Sequence, residues 1–189
     1  MRRWFLHRSA CAVVAAGVIC IGGTAAYFSG FDQVQNRVAV GRNTTEIKED
    51  FPEPPDPGDD DTPEYKKTVW IGNTTSAEKG FNVDCYIRAA LSYSNYDIGK
   101  AVTLIGLDTV NWVYNSDDGY YYYRKLLKEG ENTTPLFTGF QIDRSRMDKL
   151  YWDTINDFQI HVYEESVESG DFTDYQSAWK YYLNSVRGT

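Results

Sequence analysis

The chain has 189 residues, carries 27 Asp and Glu against 19 Lys and Arg, and has a formal net charge of −8. An acidic chain without a basic patch argues against nucleic acid and anionic membrane surfaces as partners, and its length suits one domain plus processing segments. Three cysteines, Cys11, Cys20 and Cys85, are too few for the disulfide framework of a small secreted scaffold.

Residues 1–26 read as a signal peptide. Arg2, Arg3 and Arg8 form a positive leader, "CAVVAAGVICIGG" is an apolar stretch of secretory length, and "TAA" supplies the small residues before a cut between Ala26 and Tyr27. The apolar stretch is short for a bilayer-spanning helix, which argues against a retained anchor. The cut removes three arginines and no acid, so the formal charge falls from −8 to −11. It also removes Cys11 and Cys20, which leaves Cys85 with no intramolecular disulfide partner.

Residues 27–50 hold two strand signals, "RVAVG" and "TTEIKEDF". Residues 51–64 hold five of the six prolines and a run of acids, the composition of an extended solvated loop, and the acid spacing does not match an EF-hand. From 65 to 170 the signals recur at short spacing: "KKTVWIG", "FNVDCYIRAALSYS", "KAVTLIG", "TVNWVYN", "YYYYRKLL", "TPLFTGFQI" and "DFQIHVYEESV". That series predicts a mainly β fold, a jelly-roll-like antiparallel sandwich. Val83, Cys85, Ile87, Ala89, Leu91 and Tyr93 alternate onto one face, so Cys85 reads as a core residue. Met147, Leu150 and Tyr151 lie at helical spacing and predict a short helix or structured crossover. Residues 171–189 switch to a period of 3.6, with Phe172, Tyr175, Trp179, Tyr182, Leu183 and Val186 on one stripe and a Thr173/Gln176 capping box, and predict an amphipathic helix on the sandwich.

Four consecutive tyrosines follow Asp117-Asp118-Gly119, the signature of a tight hairpin. With a three-residue loop, Ser116 faces Tyr120, Trp112, Tyr114, Tyr120 and Tyr122 share one face, and Tyr121 and Tyr123 share the other. One face should fill the core; the other, with Tyr121 and Tyr123, is a candidate ladder for a glycan or another chain, or a support for the sheet.

Catalytic chemistry finds few residues. His161 is the single histidine after the cut, and no His-Glu-x-x-His, cysteine pair or Gly-x-Ser-x-Gly elbow accompanies it, so no metal ligand set or catalytic residue is assigned and no cofactor is expected. Carboxylate pairs such as Glu164-Glu165 occur in any acidic chain and do not by themselves make a glycosidase. "NTT" at Asn43, Asn73 and Asn132 is formally a glycosylation sequon and reads more simply as a turn.

Several stretches, taken in order, resemble the TasA/camelysin family of exported proteins of Gram-positive bacteria: "GGTAAYFSGFDQVQNRVAVG", "VWIGNTTSAEKGFNVDCYIRAALS", and "WVYNSDDGYYYYRKLLKEGENTTPLF" with "FQIHVYEESVE" and "DYQSAWKYY". The resemblance covers most of the chain. It implies a jelly-roll-like sandwich, export with cleavage by a dedicated signal peptidase, and localisation to the cell surface or extracellular matrix. It further implies self-association into a biofilm-matrix fibre, or onto a related fibre subunit, with no membrane association after cleavage. The N-terminal strand of one subunit would complete the sheet of the next; here that strand is Tyr27 to Val40, with Val34, Val38 and Val40 as donor side chains by their even spacing. A head-to-tail contact of that kind does not close and so grows a filament. The peptidase activity attributed to camelysin-like relatives finds no matching residues. The Pro/Asp-rich insertion and the C-terminal helix depart from the fibre-forming pattern, which leaves both a polymerising and a decorating subunit open.

Overall fold

Alternation along Cys85–Tyr93 (β5) sets the architecture, because successive strand residues point to opposite faces. Cys85, Ile87 and Ala89 are buried between two sheets, while Tyr86 and Arg88 are buried on the other face beneath a helix. The computed structural model describes residues 22–27, 30–31, 45–52, 61–74 and 82–187.

Around β5 lie Gly22–Tyr27 (β1), Gly30–Phe31 (β2), Thr45–Asp50 (β3), Glu64–Asn73 (β4), Val102–Ile105 (β6), Trp112–Asn115 (β7), Tyr120–Tyr123 (β8), Phe137–Ile142 (β9) and Ile160–Glu168 (β10). They form two antiparallel sheets, ordered β2-β1-β10-β5-β8-β7 and β3-β4-β9-β6. The hairpins β3-β4 and β7-β8 stay within one sheet, whereas the connections from β4 to β5, β5 to β6, β6 to β7, β8 to β9 and β9 to β10 change sheets. The chain is therefore a mainly β sandwich with a C-terminal helix, as the strand spacing predicts. The "RVAVG" strand signal lies outside the described residues. Conversely, β1 forms from Gly22–Ala26, which the sequence reading places at the end of the signal peptide, together with Tyr27.

One core cluster gathers Val69, Ile71, Ile87, Phe137 and Val162; a second gathers Tyr65, Phe140, Ile155, Phe158 and Ile160. Burying each such side chain contributes roughly 1.5–3 kcal/mol. The crossover between β9 and β10 is two 3-10 stretches, Arg144–Arg146 and Lys149–Asp157, rather than an α-helix. Ile155 anchors it, Met147 and Tyr151 pack against the second cluster, and Leu150 faces solvent.

A short helix, Tyr96–Gly99 (α1), follows β5, and the C-terminal helix, Tyr175–Arg187 (α2), lays Ala178, Trp179 and Tyr182 on Tyr86 and Tyr122 of the six-stranded sheet. Its N-cap is Asp174 rather than Thr173: Asp174 Oδ1 accepts from the Ser177 amide at 2.8 Å and Oδ2 from the Ser177 hydroxyl at 2.9 Å.

The tyrosine hairpin differs from its predicted register by one residue. Asn115 faces Tyr120, Tyr114 faces Tyr121 and Trp112 faces Tyr123. Asn115 ends the ladder because its carbonyl accepts the Gly119 amide at 2.9 Å and its side chain accepts the Asp117 amide at 3.1 Å, which makes the loop four residues long. Gly119, at φ 78°, supplies the left-handed conformation that closes it. Trp112, Tyr121 and Tyr123 consequently share the core-facing side, and Tyr120, Tyr122 and Val113 face α2.

Candidate functional site

The outer edge of β10 is where polar chemistry enters the sandwich. Ile160 and Val162 point into the core, and strand alternation carries Glu164 onto the same face. Glu164 is fully buried where the apolar residues run out, and the Thr45 hydroxyl of β3 donates to it, 2.9 Å from each carboxyl oxygen. Burial pushes the Glu164 carboxyl up to about 8; the Thr45 hydrogen bond offsets part of that, and the neighbouring Glu165 charge adds to it. Glu165, one residue on, lies on the opposite face, so the two carboxyls do not form a pair across a cleft.

A second buried titratable side chain marks the other end of this edge. Lys67 continues the inward series of Tyr65, Val69 and Ile71, and its ammonium lies 3.2 Å from Glu49 Oε1 and donates to the Ile160 carbonyl at 3.2 Å. Both side chains are almost wholly buried. Burial lowers the Lys67 pKa and raises that of Glu49, and the attraction within the pair opposes both shifts. The Gln159 carbonyl accepts from the Ser94 amide and the Gln159 amide donates to the Ser94 hydroxyl, so alternation turns the backbone groups of Ile160, Val162 and Glu164 away from β5, toward the outer edge. Lys67 thus satisfies the Ile160 carbonyl just beyond the point where β1 leaves β10.

Between those two groups the edge is covered by β1. Gly22 faces Glu164, Gly23 faces Tyr163, Thr24 faces Val162 and Ala25 faces His161; Ala26 and Tyr27 turn away to face Phe31 and Gly30 of β2. All four residues that pair with β10 precede the cut expected after Ala26.

On the outer face, Arg88 holds the sheet to α2. Its guanidinium carbon lies 4.0 Å from the centre of the Tyr120 ring and 4.5 Å from that of Trp179, its Nε donates to Glu165 Oε2 at 2.7 Å, and its Nη1 donates to the Tyr122 hydroxyl at 3.0 Å. The Tyr120 hydroxyl donates to Glu165 Oε1 at 2.9 Å, and that of Tyr122 donates to Asp118. Burial, then the hydrogen bond to Glu165 and its charge, push the Tyr120 hydroxyl up to about 12. The tyrosine run therefore serves two faces: Tyr121 and Tyr123 the core, Tyr120 and Tyr122 this arginine.

That arrangement corrects the exposed ladder expected of Tyr121 and Tyr123. Tyr123 is 4% exposed and Tyr121 is half-buried against the core, because the four-residue loop places both on the inner side with Trp112. Tyr114, 55% exposed on edge strand β7 and 4.8 Å from the Tyr121 ring, is what remains open to solvent. Val34, Val38 and Val40 lie outside the described residues. Ala26 and Tyr27 stand at the end of β1, where it pairs with β2 and no longer with β10. His161 shares the outer face with Tyr163 and is half-buried; burial, with the Lys67 charge, lowers its pKa.

Sequence reasoning missed Glu164, Lys67, Glu49 and Arg88. The usable signal was a charge occupying a core position of an alternating strand, as in Tyr65-x-Lys67-x-Val69 and Ile160-x-Val162-x-Glu164. Among the described residues there is no cluster of three or more His, Cys, Asp and Glu able to hold a metal ion, and no helix is long and apolar enough to cross a membrane. No protein-family model matches the chain, and neither the curated proteins nor the solved structures contain a match to it.

Proposed function

We propose that the chain is an exported structural subunit of a surface or matrix fibre, and that the outer edge of β10 accepts an N-terminal strand from a neighbouring subunit. The observation carrying this reading is that, among the described residues, β10 is paired on that side by Gly22–Ala25, all on the signal side of the expected cut. Once those residues leave, the edge-facing amides and carbonyls of Val162 and Glu164 need a new partner, since an unpaired strand edge inside a sandwich is costly. A strand added from Tyr27 to Val40 of another copy would supply it. The likeness in motif order to the TasA/camelysin family supports the same reading.

The test is electron microscopy of the chain beginning at Tyr27 beside one beginning at Gly41, both at high concentration. Filaments from the first alone are expected. Monomers from both would overturn the reading, and filaments from both would remove the assignment of Tyr27 to Val40 as donor.

A further inference from the structure

We propose that β1 is a temporary cap: the end of the signal peptide occupies the β10 acceptor edge within its own chain, and cleavage is the event that opens it. This rests on the strand-addition reading and adds a timing device to it.

The register carries the argument. The four residues facing β10 are Gly22, Gly23, Thr24 and Ala25, and the strand turns away at Ala26. Hydrolysis of the Ala26–Tyr27 bond, in which water supplies a hydroxyl to the Ala26 carboxylate and a proton to the Tyr27 amine, therefore severs from the mature chain, in one step, all four described residues that pair with the outer edge of β10. A cut a few residues earlier would leave the cap on the mature chain. The pairing stops short of Ile160, whose carbonyl Lys67 already satisfies, so among the described residues departure of β1 uncovers the edge groups of Val162 and Glu164. Two of the four pairing residues, Gly22 and Gly23, have no side chain and can hold the edge through backbone alone, which suits a segment that must later let go.

Covalent trapping tests the cap on the full chain. Gly23 and Tyr163 face each other, and the edge-facing groups of Val162 and Glu164 make the intervening Gly23/Tyr163 pair the close, non-hydrogen-bonded kind, within the Cα separation a disulfide spans. Tyr163 is partly exposed, so its replacement leaves the core intact. The full chain carrying Gly23→Cys and Tyr163→Cys, with Cys11→Ser and Cys20→Ser, is purified in detergent, oxidised with diamide, cleaved after Ala26 by reconstituted signal peptidase, and followed by sedimentation and electron microscopy. A chain with only the two serine changes is treated alongside.

The disulfide is expected to form before cleavage. The cleaved, oxidised sample should show complete loss of filaments, and a reductant should release residues 1–26 and start assembly in the same tube. Failure to cross-link the uncleaved chain, or filaments from the cleaved and oxidised sample, would overturn the cap while filaments in the serine control leave strand addition standing. No filaments in the cleaved serine control would overturn strand addition, and the cap with it.

Discussion

Arg88 and Glu165 join neighbouring strands β5 and β10 through Nε to Oε2 at 2.7 Å, with both side chains sealed beneath Trp179 and Tyr120. Removing one partner of a buried pair strands the other charge, which typically costs about 3–5 kcal/mol. Arg88→Met should therefore lower the urea midpoint strongly. Arg88→Met combined with Glu165→Met should recover much of the loss, because the buried carboxylate leaves with the guanidinium, while Asp118, 3.5 Å from Arg88 Nη1 and partly exposed, keeps its bond from Tyr122. Arg88→Lys should not rescue, since an ammonium lacks the planar fork that stacks between the rings while bonding Glu165 and Tyr122.

Glu164 gives stability a pH dependence of definite sign. Its folded pKa, about 8, lies above the ordinary 4.5, so between those values the folded state keeps a proton that the unfolded chain has released. Stability should fall as pH rises through that window, by up to about 1.4 kcal/mol per unit, and level off above pH 8. The raised Glu49 acts in the same direction, whereas the lowered Lys67 acts oppositely at higher pH, so the informative quantity is a difference. In a chain retaining Gly22–Tyr27, Glu164→Gln should flatten the slope between pH 5 and pH 8 relative to wild type; equal slopes would place the titration elsewhere.

The hairpin register separates its tyrosines by energy. Tyr123→Ala empties a core position and should cost about 3–5 kcal/mol. Tyr114→Ala removes an exposed ring that touches Tyr121 and should cost about 1 kcal/mol or less. Paired denaturation midpoints decide the matter, and similar losses for the two variants would contradict the observed faces.

Cys85 is wholly buried in the central core cluster. In the chain beginning at Tyr27 its thiol should resist a water-soluble disulfide reagent under native conditions and react fully in denaturant. Rapid native labelling would mean that this part of the core opens readily.

Alternation made most strands legible, and the period of 3.6 made α2 legible, because apolar burial dictates both patterns. The hairpin register was not legible: Asp-Asp-Gly specifies a turn, but the Asn115 side chain and carbonyl decide where pairing ends. The charges of the β10 edge were obscured for a different reason. Lys67 and Glu164 occupy positions where alternation calls for apolar residues; Thr45, the partner of Glu164, lies 119 residues away, and Glu49, the partner of Lys67, lies across the Pro-rich loop. Nor did composition distinguish the last residues of a signal peptide from an edge strand, since a glycine-rich segment can pair through its backbone alone.

Asn73 has a consequence for how the protein is made. Its side-chain amide is buried and donates to the Val83 and Leu127 carbonyls, yet it heads the sequence Asn-Thr-Thr. A eukaryotic secretory host attaches its oligosaccharide while the chain is still emerging, before that amide has reached its partners. Sugar on Asn73 would then bar β4 from seating beside the segment that carries Leu127. Yields from yeast or mammalian cultures should improve with Thr75→Ala, which destroys the sequon and leaves the buried amide untouched.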